Sequence, residues 1–348
     1  MTTSRYYATT LPDWAAGLPP VQRWLPYRWD ALHPELLRLW GGLDDDSDEP
    51  ADHPLGRVFP HGVAVGPAAN KLVERTPLAD ELLLEATLAA VDRLAREPRR
   101  ATADLLAVSF STHDKVGHAW GQESWETLDV FLRLDRLLGR LLARLDRRYG
   151  ADGYSVVLTS DHGATRGIGG RGPERILPET IIGAAEQAAL RLLGAGHWIA
   201  AADVPYIYLA RAARALPAAR QAELVAQVAQ SIARLPGIAF AVPSASVTGD
   251  CETRATTAAA RCRAVYPQVS GELIFGTGPH AFVSDDRQQT TSHGSPNDDD
   301  ALVPLLIASP GLAPARHDEE VSALRVAATL AELLGTREPL GGQRSLLP

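Results

Sequence analysis

From Pro77 to Arg96 the apolar positions Leu82, Leu83, Ala86, Leu88, Ala90, Val91 and Leu94 recur at near-helical spacing. Acids come early in that stretch and arginines late, as the helix dipole favours, so the spacing predicts a helix. The next run, Leu105 to Phe110, is short, apolar and bounded by polar residues, the pattern of a strand buried on both faces. A second helical pattern opens at Trp125 and continues through Leu128, Phe131, Leu134, Leu138, Leu141 and Leu145, after which Tyr154 to Leu158 reads as another buried strand. Strand, helix, strand in that order predicts a parallel sheet with crossover helices.

Further along, the pattern predicts helices at Glu179–Leu193, Pro217–Leu235 and Val321–Leu334, and strands at Tyr206–Leu209, Ile238–Val242 and Leu302–Ile307. Trp14 to Pro60 is rich in Trp, Pro and acids, including Asp44 to Asp46, and shows no steady period, which reads as irregular surface structure. Periodicity is weak from Thr248 to Val283, and residues 244–285 read as a small inserted subdomain. With 348 residues, 45% of them hydrophobic, the chain is large enough for one α/β domain spanning residues 1–348. No internal repeat is found, and no apolar run reaches the length that crosses a bilayer.

Charge narrows the partners. The formal net charge is -8, and Lys71 and Lys115 are the only lysines. A nucleic-acid groove needs a concentrated basic face to release counterions, and that balance argues against one. Cys251 and Cys262 lie in a short polar segment where pairing would close a small loop and imply an oxidising compartment. Two unpaired thiols fit the spacing as well. Met1 to Leu11 lacks a positive region followed by an apolar stretch, so no secretion signal is visible.

Three clusters of histidine and acid lie beside candidate strands. Ligand sites of open α/β sheets gather at the carboxyl ends of strands, so these clusters are expected to converge. The first is Asp114-Lys-Val-Gly-His118, whose spacing of four sets both side chains on one face of a helical turn, able to hold one metal. By itself the pair is a weak signal, and an exposed acid and histidine on a loop is the better reading of it. The second is Asp161-His162-Gly163, closing the apolar run Ser155-Val-Val-Leu; in the turn after a strand both side chains can face one cation. The third is Ser292-His293-Gly294, leading through Asp298, Asp299 and Asp300 into the strand at Leu302, with Asp298 and Asp299 reading as a solvated turn. Mixed imidazoles and carboxylates are the ligand class of zinc.

Taken together, Ser111 to Asp135 (STHDKVGHAWGQESWETLDVFLRLD), Leu158 to Gly163 (LTSDHG) and Ser292 to Leu306 (SHGSPNDDDALVPLL) resemble the alkaline phosphatase superfamily. The likeness is to its nucleotide pyrophosphatase/phosphodiesterase branch, and most of all to the bacterial alkaline phosphatases that use a threonine nucleophile. Ser4-Arg-Tyr-Tyr with Leu11-Pro-Asp-Trp14, and Phe59-Pro-His with Thr76-Pro77, also resemble that family's connecting region. The resemblance implies a mostly parallel central sheet with helices on both faces. It implies two divalent cations, zinc by expectation, one on Asp114, His118 and His293 and the other on Asp161 and His162. The expected substrate is a small-molecule phosphate ester, cleaved through a phosphothreonine intermediate that water then hydrolyses. A family member of this kind is periplasmic or secreted.

The likeness also implies what is missing. In the family the second metal takes a further aspartate from the first strand, and the threonine nucleophile opens a helix some tens of residues later. Both precede the part that Met1 to Trp14 resembles. The expectation is therefore a chain without the N-terminal strand and nucleophile helix, weak or inactive alone, with a missing N-terminal segment as its partner. Thr9 and Thr10 precede Leu-Pro rather than opening a helix and read as structural. Arg166 and Arg171, in the loop after His162, are the candidates to approach a phosphate.

Two other readings compete. Gly167-Ile-Gly169-Gly170-Arg-Gly172 matches the GxGxxG of dinucleotide-binding domains, but that fingerprint joins a strand directly to a helix. Here Asp161 and His162 intervene, and Pro173 and Pro178 follow. The other is a non-catalytic scaffold folded around one zinc held by Asp114, His118 and His293.

Overall fold

The computed structural model describes residues 6, 8–46, 48–96, 103–168, 171–251, 256–340 and 343–347. Ser4, Arg5 and Tyr7 of the connecting-region likeness, and Gly169 and Gly170 of the glycine loop, lie outside the described residues. In chain order the elements are α1 Asp13–Ala16, β1 Tyr27–Trp29, α2 Pro34–Gly41, β2 His61–Val63, α3 Ala69–Val73, α4 Pro77–Leu94, α5 Thr112–Trp120 and α6 Trp125–Tyr149. There follow β3 Val156–Thr159, β4 Glu174–Ile176, α7 Pro178–Leu193, β5 Ile199–Asp203, β6 Tyr206–Leu209, α8 Arg211–Arg214, α9 Ala218–Ile232 and β7 Ile238–Pro243. The last are α10 Thr256–Ala264, β8 Leu273–Thr277, β9 Ala281–Val283, α11 Asp298–Ala301, β10 Leu305–Ala308 and α12 Leu324–Leu333.

The α/β class read from sequence holds, and most periodic segments form the expected element. The pairing corrects one expectation. The four-stranded sheet, in order β5-β6-β8-β7, is antiparallel throughout, as are β1 with β2 and β10 with β3. Among the described strands only β4 and β9 pair in parallel. The hairpin between β5 and β6 shows why: only Val204 and Pro205 separate the two strands, too short a link for the crossover a parallel pair requires. Residues 244–285, read as an inserted subdomain, do not stand apart, because β8 sits between β6 and β7. The stretch Trp14–Pro60 holds β1 and α2 rather than only irregular chain.

The largest core lies where α7 and α9 cover this antiparallel sheet. Ile181, Ala185, Leu224, Ile232, Ile207, Leu273 and Phe275 meet there, all essentially removed from water. A second core joins Trp29, Val63 and Leu78 to Val116, Ala119 and Trp120 of α5, so the inner face of α5 is anchored and its other face is left for chemistry. Asp129, fully buried on α6, accepts from Trp29 Nε1 at 2.6 Å and from the Leu32 amide at 2.6 Å, and pairs with Arg133 at 2.6 Å.

The expected strand at Leu105–Phe110 is absent. No residue from 103 to 110 joins a ladder, and Leu105 and Leu106 are 60% and 40% exposed. A strand is defined by its ladder partners, and here none is present among the described residues.

Candidate metal centre

Two loops and one helix bring the site together. The register Leu305↔Thr159 sets the start of β10 against the end of β3, so residues following one strand meet residues preceding the other at the same rim. Asp161 and His162 follow β3, and His293 lies upstream of β10. Helix α5 supplies Asp114 and His118, one turn apart, as the four-residue spacing requires.

Asp114, His118 and His293 each offer a ligand atom, all within 4.8 Å of one another. Asp114 Oδ1 lies 3.2 Å from His118 Nε2 and 3.7 Å from His293 Nε2. His118 Nδ1 donates to the carbonyl of Thr291 at 2.8 Å, which fixes the proton on Nδ1 and turns Nε2 toward Asp114. His162 is held likewise, its Nδ1 donating to the Gly163 carbonyl at 2.8 Å. Its ring stacks on that of His293, with centroids 3.4 Å apart and planes inclined by 14°. Asp161 Oδ2 lies 3.5 Å from His162 Nε2, and its side chain is mostly exposed.

Electrostatics fits the geometry. Burial works against ionisation of Asp114, but the hydrogen bond and charge of His118, with Lys115 and His293, outweigh it and hold the carboxyl below its usual range. Burial lowers the His118 imidazole, yet the Asp114 hydrogen bond and the Thr291 carbonyl raise it on balance. Burial, together with His162 and His118 alongside, pushes His293 down and favours its neutral, ligand-competent form.

The loops bearing His162 and His293 are sewn to each other. The amides of Gly163, Ala164 and Thr165 donate to the carbonyls of Asp300, Asp299 and Ser292 at 2.7, 3.0 and 2.8 Å. Asp300, almost fully buried, accepts from the Ser295 amide at 2.8 Å and from Thr165 Oγ1 at 3.3 Å. Gly163 is required by this approach, since a Cβ there would sit 2.0 Å from the Asp299 carbonyl oxygen.

All five residues singled out as ligands thus lie at one rim, and the described residues make one trio of donors, with His162 stacked against it. Arg166 is differently engaged: its guanidinium pairs with Glu123, and its amide donates to Asp299 Oδ2 at 3.0 Å. Arg171 lies exposed beside Ile168, bridged to it through the backbone. Cys251 and Cys262 form a disulfide, with Cα atoms 5.5 Å apart. Two supports escape sequence reasoning. Thr291 acts through its backbone carbonyl, which carries no signature, and Asp300 sits in an acidic run that resembles a solvated turn. The signal for Asp300 is its place as the last acid before the apolar run that enters β10.

Residues 40–296 match the family model described as type I phosphodiesterase / nucleotide pyrophosphatase, a span that includes all five residues. A protein of Myroides odoratus named calcium-transporting ATPase is 25% identical over 359 residues, covering 97% of this chain and 64% of that protein. Alkaline phosphatase PafA of Elizabethkingia meningoseptica is 33% identical over 181 residues, covering 48% of this chain and 32% of the relative. The crystal structure of wild-type alkaline phosphatase PafA shares the fold with a TM-score of 0.81 at 23% identity, covering 98% of this chain and 66% of that one. The chain therefore spans less than two thirds of the length of these curated relatives.

Proposed function

The chain belongs to the type I phosphodiesterase / nucleotide pyrophosphatase family, and from that premise we propose that it carries the metal-holding part of a phosphoric ester hydrolase of the alkaline phosphatase type. The observation that carries the reading is the trio Asp114, His118 and His293, with ligand atoms within 4.8 Å of one another on the rim where His162 also stands. A carboxylate and two imidazoles fit zinc, and Asp161 with His162 is the second, smaller donor set. A divalent cation bound there supplies positive charge against the oxygens of a phosphoryl group.

The protein's own residues prepare that role. Thr291 and Gly163 hold the histidine tautomers, leaving an Nε2 lone pair on each of His118 and His162. Three hydroxyls of these loops are committed to neighbouring groups: Ser160 Oγ donates to the His162 carbonyl, Thr165 Oγ1 to Asp300 and Thr291 Oγ1 to the Thr165 carbonyl. That commitment supports the further reading that this chain alone turns over phosphate esters weakly. The reading includes a small phosphate ester as substrate and an oxidising compartment, periplasmic or extracellular, which the Cys251–Cys262 bridge supports.

The second reading, a non-catalytic scaffold around one zinc, is favoured by the single complete trio among the described residues. Metal analysis with a phosphatase assay separates the two. About two zinc ions per chain with turnover supports the hydrolase, about one without turnover supports the scaffold, and none removes both. Robust zinc-dependent release of nitrophenol from its phosphate ester, abolished by His293→Ala, would contradict the weak-activity claim while upholding the hydrolase.

A further inference from the structure

The acidic run after α2 encloses a second cleft. Asp48 Oδ2 accepts from the Gly172 amide at 2.5 Å and Asp46 Oδ1 from the Asp48 amide at 2.9 Å, which ties the run to the loop after Ile168. The cleft has a volume of about 170 Å³, and its walls carry Trp40, Asp46, Asp48, Glu49, Glu123 and Arg171. None of the five candidate metal ligands lines it. Of the acids, Glu123 pairs with Arg166, whereas Glu49 has no cationic partner among the described residues. Glu49 is 5% exposed, and its Oε2 is buried without a hydrogen bond. Nearby, Asp44 Oδ1 and Glu126 Oε2 are also buried and unpartnered. Burial, with Glu126, Asp46 and Asp44 alongside, pushes the Glu49 carboxyl up to about 10; Arg57 opposes this only weakly and is itself paired with Asp45. A carboxyl without a counter-ion keeps its own proton.

We propose that this cleft binds a small aliphatic primary amine as its ammonium, with the N–H groups on Glu49, Asp46 and Asp48 and the carbon chain against Trp40 and Leu43. Four observations select that ligand. The wall charge is acidic, so the ligand is a cation. A metal ion needs several donors on one point, and the described residues gather three ligand atoms within 4.8 Å only at Asp114, His118 and His293. An ammonium is larger and reaches carboxylates that stand further apart, and the unpartnered Glu49 oxygen calls for an N–H donor, which a quaternary ammonium lacks. Trp40 and Leu43, 72% and 77% exposed, supply an apolar wall beside the acids, and an indole face attracts a cation. The volume is below the roughly 300–1,000 Å³ of sites for larger molecules, which keeps the ligand small.

Calorimetric titration of the full chain with hexylamine, in metal-free buffer, tests the proposal. The expected result is saturable binding of one hexylamine per chain with a Kd of about 1 mM or tighter. Hexanol, which has no charge, and tetramethylammonium, which has no N–H, bind at least about tenfold more weakly. Glu49→Gln loses at least about tenfold in affinity, and Trp40→Ala and Asp46→Asn lose about two- to fivefold each. Urea midpoints report whether each variant is folded; Trp40 and Asp46 are exposed, so those two variants carry the test should Glu49→Gln not fold. Absence of saturable binding overturns the proposal, as does equal binding of hexanol or an unchanged affinity in folded Glu49→Gln. Calcium chloride that displaces hexylamine at a tenfold lower concentration, and no longer does so in Glu49→Gln, also overturns it by assigning the cleft to a metal ion. The titration involves neither zinc nor turnover, so it stands or falls separately from the hydrolase reading.

Discussion

Strands β8 and β3 carry similar sequences and meet different surroundings. Leu-Ile-Phe-Gly-Thr of β8 is buried at all five positions, between two partner strands and under α9. Val-Val-Leu-Thr of β3, no less apolar, has no buried position and one partner. An apolar run states a demand for cover, and only neighbouring elements can meet it. The comparison divides the molecule into a half built on the antiparallel sheet that holds none of the candidate ligands, and a half that presents the ligands on α5 and on the loops flanking the thinly covered β3 and β10. Stability and chemistry are thereby carried by different parts of the chain.

The comparison breaks most visibly through Phe275→Ala. That ring is 1% exposed in the large core, and its loss is expected to cost about 3–5 kcal/mol in urea unfolding. A cost below about 1 kcal/mol would mean that the antiparallel sheet is not the stabilising half. Next comes Gly163→Ala, which drives a Cβ against the Asp299 carbonyl and should cost about 1–3 kcal/mol. Because it also parts the loops of His162 and His293, zinc affinity should fall about tenfold or more.

A third test probes the ligand-bearing half through pH. Burial pushes the Glu126 carboxyl up to about 9, with Asp44 and Asp129 adding to it, and pushes Glu49 up to about 10, helped by Glu126 and Asp46. His61 Nδ1 donates to the Leu55 carbonyl at 2.9 Å, so its Nε2 accepts from protonated Glu126 at 2.8 Å. A carboxyl raised in the fold holds a proton that the unfolded chain releases near its ordinary value of 4.5, so its stabilisation is full below that value and is lost as pH rises through the folded one. Burial lowers His53 to about 4, which gives the opposite slope between about 4 and 6.5. Net stability should therefore fall from about pH 6.5 to about 9, by at most about 1.4 kcal/mol per pH unit for each carboxyl. Glu126→Gln should flatten the slope in chemical denaturation series, and an unchanged slope would remove Glu126 from the account. The smallest effect sharpens the contrast: Leu158→Ala on β3 should change stability by no more than about 0.5 kcal/mol.

Local chemistry is legible in the sequence, and long-range pairing is not. The i, i+4 spacing of Asp114 and His118 determines a shared helix face whatever the fold, and the turn after Ser155-Val-Val-Leu determines where Asp161 and His162 emerge. The direction of β10 has no local signal, so the parallel expectation fails where a reversed strand and a two-residue hairpin decide the pairing. Leu105–Phe110 has the composition of a buried strand, and composition does not supply a ladder. Buried acids are hidden for a similar reason. Glu49, Glu126 and Asp300 look like solvated charge in sequence, and only the packing around them withdraws them from water.

The central claim is that Asp114, His118 and His293 hold one divalent cation in common. Equilibrium dialysis of the full chain against zinc, repeated for His293→Ala and His162→Ala, tests it most directly. The account predicts a tight zinc step in the native chain, retained in His162→Ala and weakened at least about tenfold in His293→Ala. Equal tight binding by the native chain and His293→Ala, or no tight step in the native chain, would contradict it.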